Sequence, residues 1–430
     1  MSLERTWDGR KRRLELGLIQ DSYELIKGVD MQLSKDMSST SRRDDSAHLN
    51  VRKVFHEFFE PLLFVPLIIS TLTFIVSYYL NVNMIIDERS YAIQSYQFYK
   101  GWEFPRTYPL LSILTWVPLE VFGVAKQSFV VVPFVATLLT TVLVYRLSLM
   151  RFKSRGRAVL SSVLMASNPL LIWLSAKHMT ETLFALFLIP TFLIVSKESV
   201  SRTETSLAGI FSSLAYLSRY PGILLFPFVT FYMIKRKIDR RNIPFYLTPA
   251  LLVIVYWLFN RLIFGEYFTT ETYSISYVFE KTGAMAFSLD LFLLRNMVYK
   301  AVAGASLLLG YTAIFLFPRM RRIFSSRILA DPIIAFVIFY SLVHLGYYAI
   351  LSMSWGVAFS IDHFARYLLP IAPLIIVFSD SPFKNSRFTL FFASLSCAAG
   401  IMLGFYLTQY SNIHSLAPMS WTEFLERLVS

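Results

Sequence analysis

Long apolar runs recur along the whole chain, separated by short polar or basic segments. Residues 61 to 80, 128 to 145, 158 to 176, 242 to 260 and 388 to 413 carry no charge, and each approaches or exceeds the ~20 residues that cross ~30 Å of hydrocarbon. Runs that are apolar on every face predict membrane spans, because a helix on a soluble core keeps one polar face. Adding the shorter runs between them, spans are expected over residues 61–80, 128–149, 158–175, 182–196, 205–218, 221–234, 242–263, 299–317, 332–352, 367–379 and 388–409. The fold class this predicts is all-α: a polytopic transmembrane helical bundle of about eleven crossings.

Basic residues decide which way the bundle faces, since short loops rich in Lys and Arg stay cytoplasmic. The basic loops are RFKSRGR (151–157), KRKIDRR (235–241), PRMRRIFSSR (318–327) and, more weakly, FKNSR (383–387). They share one side only if residues 108–125 do not cross. That segment, broken by Pro109 and Pro118 and carrying Glu120, is therefore expected to lie as a juxtamembrane helix in the external interface, within an external loop over 81–127. The expected organisation is a basic cytoplasmic tail (1–52), a transmembrane catalytic unit (53–410) and a short external C-terminal tail (411–430). Acidic residues concentrate in the loops assigned outside: Asp87, Glu88, Glu103, Glu181, Glu266, Glu271, Glu280, Asp290 and Asp362.

Composition agrees with the pattern and removes some functions. Hydrophobic residues make up 55% of the chain and the net charge is +13, yet the excess charge sits in short inter-span clusters, which argues against nucleic-acid binding. The lone cysteine, Cys397, lies within the last apolar run, so neither a disulfide framework nor a thiolate metal site is expected. The chain has no P-loop and no Gly-rich dinucleotide fingerprint.

Four constellations carry candidate chemistry, all on the side assigned outside. Asp87 and Glu88 follow the first span, where a carboxylate can take a proton from a hydroxyl at the water boundary. Arg219 interrupts the apolar stretch 205–234; an intramembrane charge is costly and usually lines a cavity, here expected to be an external, water-filled one holding a phosphate by charge-assisted hydrogen bonds. In KHMTETLF, Lys177, His178 and Glu181 sit at the ends of two spans, with His178 and Glu181 three apart and on one helix face if the helix starts that early. In DHFARYLLPIAP, Asp362, His363 and Arg366 enter the penultimate span.

At these residues the chain resembles the GT-C superfamily of integral-membrane glycosyltransferases, in particular protein O-mannosyltransferases and lipid A aminoarabinose transferases. The resemblance rests on the order of short motifs: DERSYA (87–92), GWEFPRTYPLL (101–111), FG (122–123), HMTETLFAL (178–186), LAYLSRYPGILLFP (214–227), FNRLIFGEYF (259–268) and HFARYLLPIAP (363–373). It implies that Asp87 is the catalytic base, assisted by Glu88, and that Arg219 and Arg366, with His363, bind the donor phosphate. Tyr108, His178 and Glu181 would line the substrate cavity. The chain departs from the aminoarabinose branch at TYPL (107–110), where KPPL-like residues are usual, and at Glu181, where Asp is usual. It has no WWDYG motif, so the resemblance implies transfer of one sugar and not of a preassembled oligosaccharide.

The expected activity is thus inverting transfer of a single sugar from a polyprenyl (dolichyl or undecaprenyl) phosphate donor to a hydroxyl-bearing protein, glycan or lipid acceptor on the extracytoplasmic face. The membrane would be a prokaryotic plasma membrane or the endoplasmic reticulum. No cofactor is required by this reading, and a divalent cation bridging Asp87 or Glu88 to phosphate stays open. The competing class is a secondary transporter or lipid flippase using Arg219, Glu181 and Asp87; against it, the ionisable residues collect at one face and no inverted repeat shows.

Overall fold

The first helix, α1 (Phe64–Leu80), is amphipathic the wrong way round for water. Phe64, Val65, Ile68, Leu72, Ile75, Val76 and Tyr79 face outward, whereas Ser70, Thr73 and Ser77 are buried against the rest of the chain. That arrangement suits a lipid surround, in which helices pack through small and hydroxylated residues and display apolar ones. The computed structural model describes residues 61–264 except 106, 198, 236–237 and 239, together with 336–337, 339–341, 369–379, 386–414 and 419–429. The expected cytoplasmic tail, the expected span 299–317, most of 332–352, and His363 and Arg366 lie outside the described residues.

After α1 come a two-residue strand β1 (Asn83–Met84), α2 (Ile86–Tyr99), α3 (Pro109–Phe122), α4 (Lys126–Phe152), α5 (Arg155–Ala166), α6 (Pro169–Ser175), α7 (Glu181–Val195) and α8 (Arg202–Ser218). A 3-10 turn (Tyr220–Leu224) leads into α9 (Leu225–Lys235), then α10 (Ile243–Leu247), α11 (Leu251–Phe264), α12 (Ala372–Ser379), α13 (Ser386–His414), strand β2 (Met419–Ser420) and α14 (Trp421–Val429). Pro61–Leu80, Lys126–Phe152 and Arg240–Phe264 are long and apolar enough to cross a membrane, and α5 with α6 forms a fourth candidate bent by 57°.

The bend corrects the expected straight span over 158–175. Pro169 has no N–H to donate to the last turn of α5, and the Asn168 side chain accepts from the Leu170 and Leu171 N–H groups at 2.9 and 3.2 Å, starting a new helix. The other difference from an all-α reading is β1 paired antiparallel with β2, Asn83 opposite Ser420 and Met84 opposite Met419; two-residue strands leave no periodicity to read. Helices α1, α4 and α5 meet through hydroxyls: Ser70 and Thr141 are 3.3 Å apart, Ser162 donates to the Thr141 carbonyl at 3.1 Å, and Ser148 and Ser161 are 2.9 Å apart.

Helices α2 and α3 follow α1 and precede α4 in the chain. Fourteen residues of α3 extend only ~21 Å. Its Leu110, Leu111, Thr115 and Leu119 are buried, whereas Trp116, Val117, Val121 and Phe122 are exposed, the distribution of a helix lying along an apolar boundary.

Candidate active site

Helix α2 begins with the acidic pair. Ile85 caps it in an extended conformation, and Glu88, three residues in, accepts from the Ile85 N–H at 3.4 Å. Both Asp87 and Glu88 sit in the first turn, where the positive end of the helix dipole favours carboxylates.

Glu88 is fully buried. Its carboxylate is 3.3 Å from Lys177 Nζ and accepts from the His178 N–H at 3.1 Å; Lys177 also donates to Asn81 Oδ1 at 2.7 Å. Asn81 in turn donates to the Ala176 carbonyl at 2.7 Å. A buried ion pair is tolerable only when its remaining lone pairs and protons are satisfied, and this network satisfies them while tying the start of α2 to the loop before α7. Lys126 reinforces the same corner, donating to the Tyr78 and Asn81 carbonyls, each at 2.6 Å, at the C-terminal end of α1.

His178 is buried in the loop, and α7 starts only at Glu181, so the two do not share a helix face. The Phe129 carbonyl lies 2.7 Å from His178 Nδ1, and Ser95 Oγ lies 2.9 Å from Nε2. A carbonyl only accepts, so Nδ1 carries a proton; the Ser95 hydroxyl beside Nε2 donates to the Tyr91 carbonyl at 2.8 Å. Burial pushes the imidazole down to about 4, opposed by the carbonyl contacts, and the ring is neutral at physiological pH. Both ring nitrogens are engaged by protein, so the structure gives His178 an orienting place behind the site.

Asp87 is half-buried and lies on the helix stripe Asp87–Tyr91–Ser95, residues four apart. Tyr91 is the meeting point. Its phenol is pushed well above the ordinary value by burial first, then by Tyr108 and Asp87, with Arg219 pulling the other way and Glu181 raising it further.

Arg219 is placed by a break in the backbone. It is extended, at φ −164° and ψ 134°, between α8 and the Tyr220–Leu224 turn, and Gly222 closes that turn by donating to the Arg219 carbonyl at 2.9 Å. The buried guanidinium pairs with Glu181 at 2.5 Å, donates to Thr180 Oγ1 at 3.4 Å, and stands 6.0 Å from the centre of the Tyr108 ring. Arg219 is 1% exposed. Tyr108 adopts a left-handed conformation, φ 49° and ψ 60°, at the start of α3. A non-glycine residue there is strained; the Tyr108 ring centre lies 5.8 Å from Tyr91 and 4.8 Å from Tyr220.

Of the residues singled out in the sequence, Tyr108, Glu181 and Arg219 are brought together beside Tyr91, Asp87 is one helical turn before Tyr91 on α2, and Glu88 and His178 are joined by a hydrogen bond. Tyr91, Ser95 and Asn81 were not anticipated. The four-residue spacing of Asp87, Tyr91 and Ser95 was the signal for the first two; nothing local marks Asn81. Among the described residues, no group of three or more His, Cys, Asp or Glu side chains is arranged to hold a metal ion.

A family model described as dolichyl-phosphate-mannose-protein mannosyltransferase matches residues 105–260, a stretch that includes Tyr108, His178, Glu181 and Arg219. No curated protein matches the chain by sequence. Among solved structures, the chain is similar to ArnT from Cupriavidus metallidurans in the apo state, with 15% identity, TM-score 0.45, and coverage of 73% of this chain and 58% of that one. It is also similar to the same protein bound to undecaprenyl phosphate (13%, TM-score 0.47, 78% and 64%). A third similar structure is the apo oligosaccharyltransferase of Archaeoglobus fulgidus (15%, TM-score 0.44, 81% and 56%). The chain therefore spans between 56% and 64% of the length of these proteins.

Proposed function

We propose that the chain is an inverting glycosyltransferase that moves a single sugar from a polyprenyl-phosphate donor to a hydroxyl acceptor on the extracytoplasmic face of a membrane. The observation that carries this reading is a chain of neighbours: Asp87 is one helical turn before Tyr91 on α2, the Tyr91 ring is 5.8 Å from Tyr108, and the buried Arg219 guanidinium stands 6.0 Å from the Tyr108 ring. The family match over residues 105–260 supports a lipid-phosphate sugar as donor.

In this mechanism Asp87 accepts the proton of the acceptor hydroxyl as its oxygen attacks the anomeric carbon from the face opposite the phosphate. The bond from the anomeric carbon to the phosphate oxygen breaks, and the electron pair leaves with the lipid phosphate. Arg219 stabilises the charge that grows there. A guanidinium carries five N–H donors, enough for Arg219 to serve the phosphate while Glu181 holds its orientation. Arg366 and His363 join the phosphate site in this proposal. Tyr91, its proton held firmly, and Tyr108 furnish neutral surfaces for donor and acceptor. Glu88, Lys177 and His178 fix the loop and helix on which the reacting groups ride.

The test is transfer from a synthetic polyprenyl-phosphate sugar panel by purified protein. Asp87→Asn is expected to lower turnover by about 10²–10⁴-fold, the range for loss of a general base, with unchanged melting temperature. Turnover at the wild-type rate would remove Asp87 from the mechanism.

A further inference from the structure

The last described residues pack beside the start of α2, more than 300 positions upstream of them. Strand β2 pairs with β1, the Trp421 N–H donates to the Val82 carbonyl at 3.2 Å, and Arg89 donates to Met419 Sδ at 3.9 Å. Trp421 and Phe424 are buried and complete a small apolar cluster with Met84, Ala92, Leu119, Phe129 and Val130. At its centre is Phe129, whose ring centre lies 5.9 Å from Trp421, 6.4 Å from Phe424 and 5.4 Å from His178.

The cluster reaches both supports of the candidate site. Ala92 is one helical turn beyond Glu88, so contact there fixes the rotation of α2 about its axis and with it the direction of Asp87. Phe129 supplies the carbonyl that takes the His178 Nδ1 proton. Three elements of separate origin, α2, α3 and α4, are joined here by a segment that itself contributes no residue to the reacting groups.

We infer that residues 419–424 form a clasp that sets the position of Asp87 for transfer, with Trp421 as its positioning residue; this rests on Asp87 being the base. Among the described residues the buried Trp421 indole N–H has no hydrogen-bond partner, so the residue acts through its ring. Phe in its place keeps most of the packing and removes no bond.

The experiment is steady-state transfer from the synthetic polyprenyl-phosphate sugar accepted by the wild-type protein, with melting temperature measured on the same samples. Trp421→Ala is expected to lower kcat about 10- to 100-fold, as small misplacements of a reacting group do, with donor KM within about twofold. Trp421→Phe should keep kcat within about threefold, since its ring retains the aromatic contact. A Trp421→Ala kcat equal to wild type, or an equal loss in Trp421→Phe, overturns the clasp. So does a loss expressed only in donor KM. If Trp421→Ala does not accumulate folded, Phe424→Leu replaces it; a graded kcat loss at constant KM supports the clasp, and wild-type kcat overturns it. Failure of the wild type to use any lipid-phosphate sugar would instead defeat the functional reading, and the two failures are thereby told apart.

Discussion

His178 links the chemistry of one side chain to the pH range in which the whole protein holds together. Its imidazole is held near 4 in the folded chain by burial, against about 6.5 in an unfolded one. The unfolded state therefore binds a proton first as pH falls. The stability this histidine contributes is complete above about 6.5, declines between there and about 4, and amounts to about 3 kcal/mol over that window. Melting of the detergent-solubilised protein should fall more steeply from pH 7 to pH 5 than melting of His178→Gln; parallel curves would mean that the ring is not buried neutral. The residues of the site were legible unevenly. Asp87 and Arg219 stood out because charge beside apolar runs is costly and rare. The pairing of Glu88 with Lys177, 89 positions away, was not legible, because no local pattern reports such a pair.

The turn at Tyr220–Leu224 shows what elements add to residues. A Cβ at Gly222 would come within 2.4 Å of the Tyr216 backbone nitrogen and 2.6 Å of the Ala215 carbonyl carbon, so only glycine lets the turn fold back on α8 and hold Arg219 extended. Gly222→Ala should cost about 1–3 kcal/mol, the usual range for overpacking, and raise the donor KM by displacing Arg219. Gly156→Ala in α5, where an added Cβ meets nothing within 4 Å, serves as the control and should gain up to about 1 kcal/mol. Equal melting temperatures for Gly222→Ala and wild type would show that the turn is not constrained. The sequence placed a tight turn at SRYPG, because Pro and Gly punctuate any apolar run, but the closeness of its return depends on a neighbour two turns back. The bend between α5 and α6 was missed for a related reason. The apolar run continues through Asn168 and Pro169 without a charge, and hydropathy does not register a broken backbone.

At the scale of the molecule, lipid exposure and charge parity must agree, and they can be tested together. Helix α1 displays Leu and Ile outward and buries Ser and Thr, and α11 does the same, with Leu258, Leu262 and Ile263 outward and Asn260 buried. Apolar runs alone made the bundle legible because a spanning helix has no other way to satisfy its surroundings. The expectation that α3 does not cross rests on the basic loops, since its own sequence is largely apolar, with Glu120 its one charge. If α1 and α4 cross and α2 and α3 do not, Trp102 and Arg155, both exposed, must lie on opposite sides. In a Cys397→Ala background, Trp102→Cys should react with a membrane-impermeant maleimide on intact cells, and Arg155→Cys only after permeabilisation. Reaction of both on intact cells would make α3 a span and break the parity. The reverse pattern would put Asp87 in the cytoplasm, where a lipid-phosphate donor loses its advantage over a soluble nucleotide sugar and the proposed chemistry loses its reason.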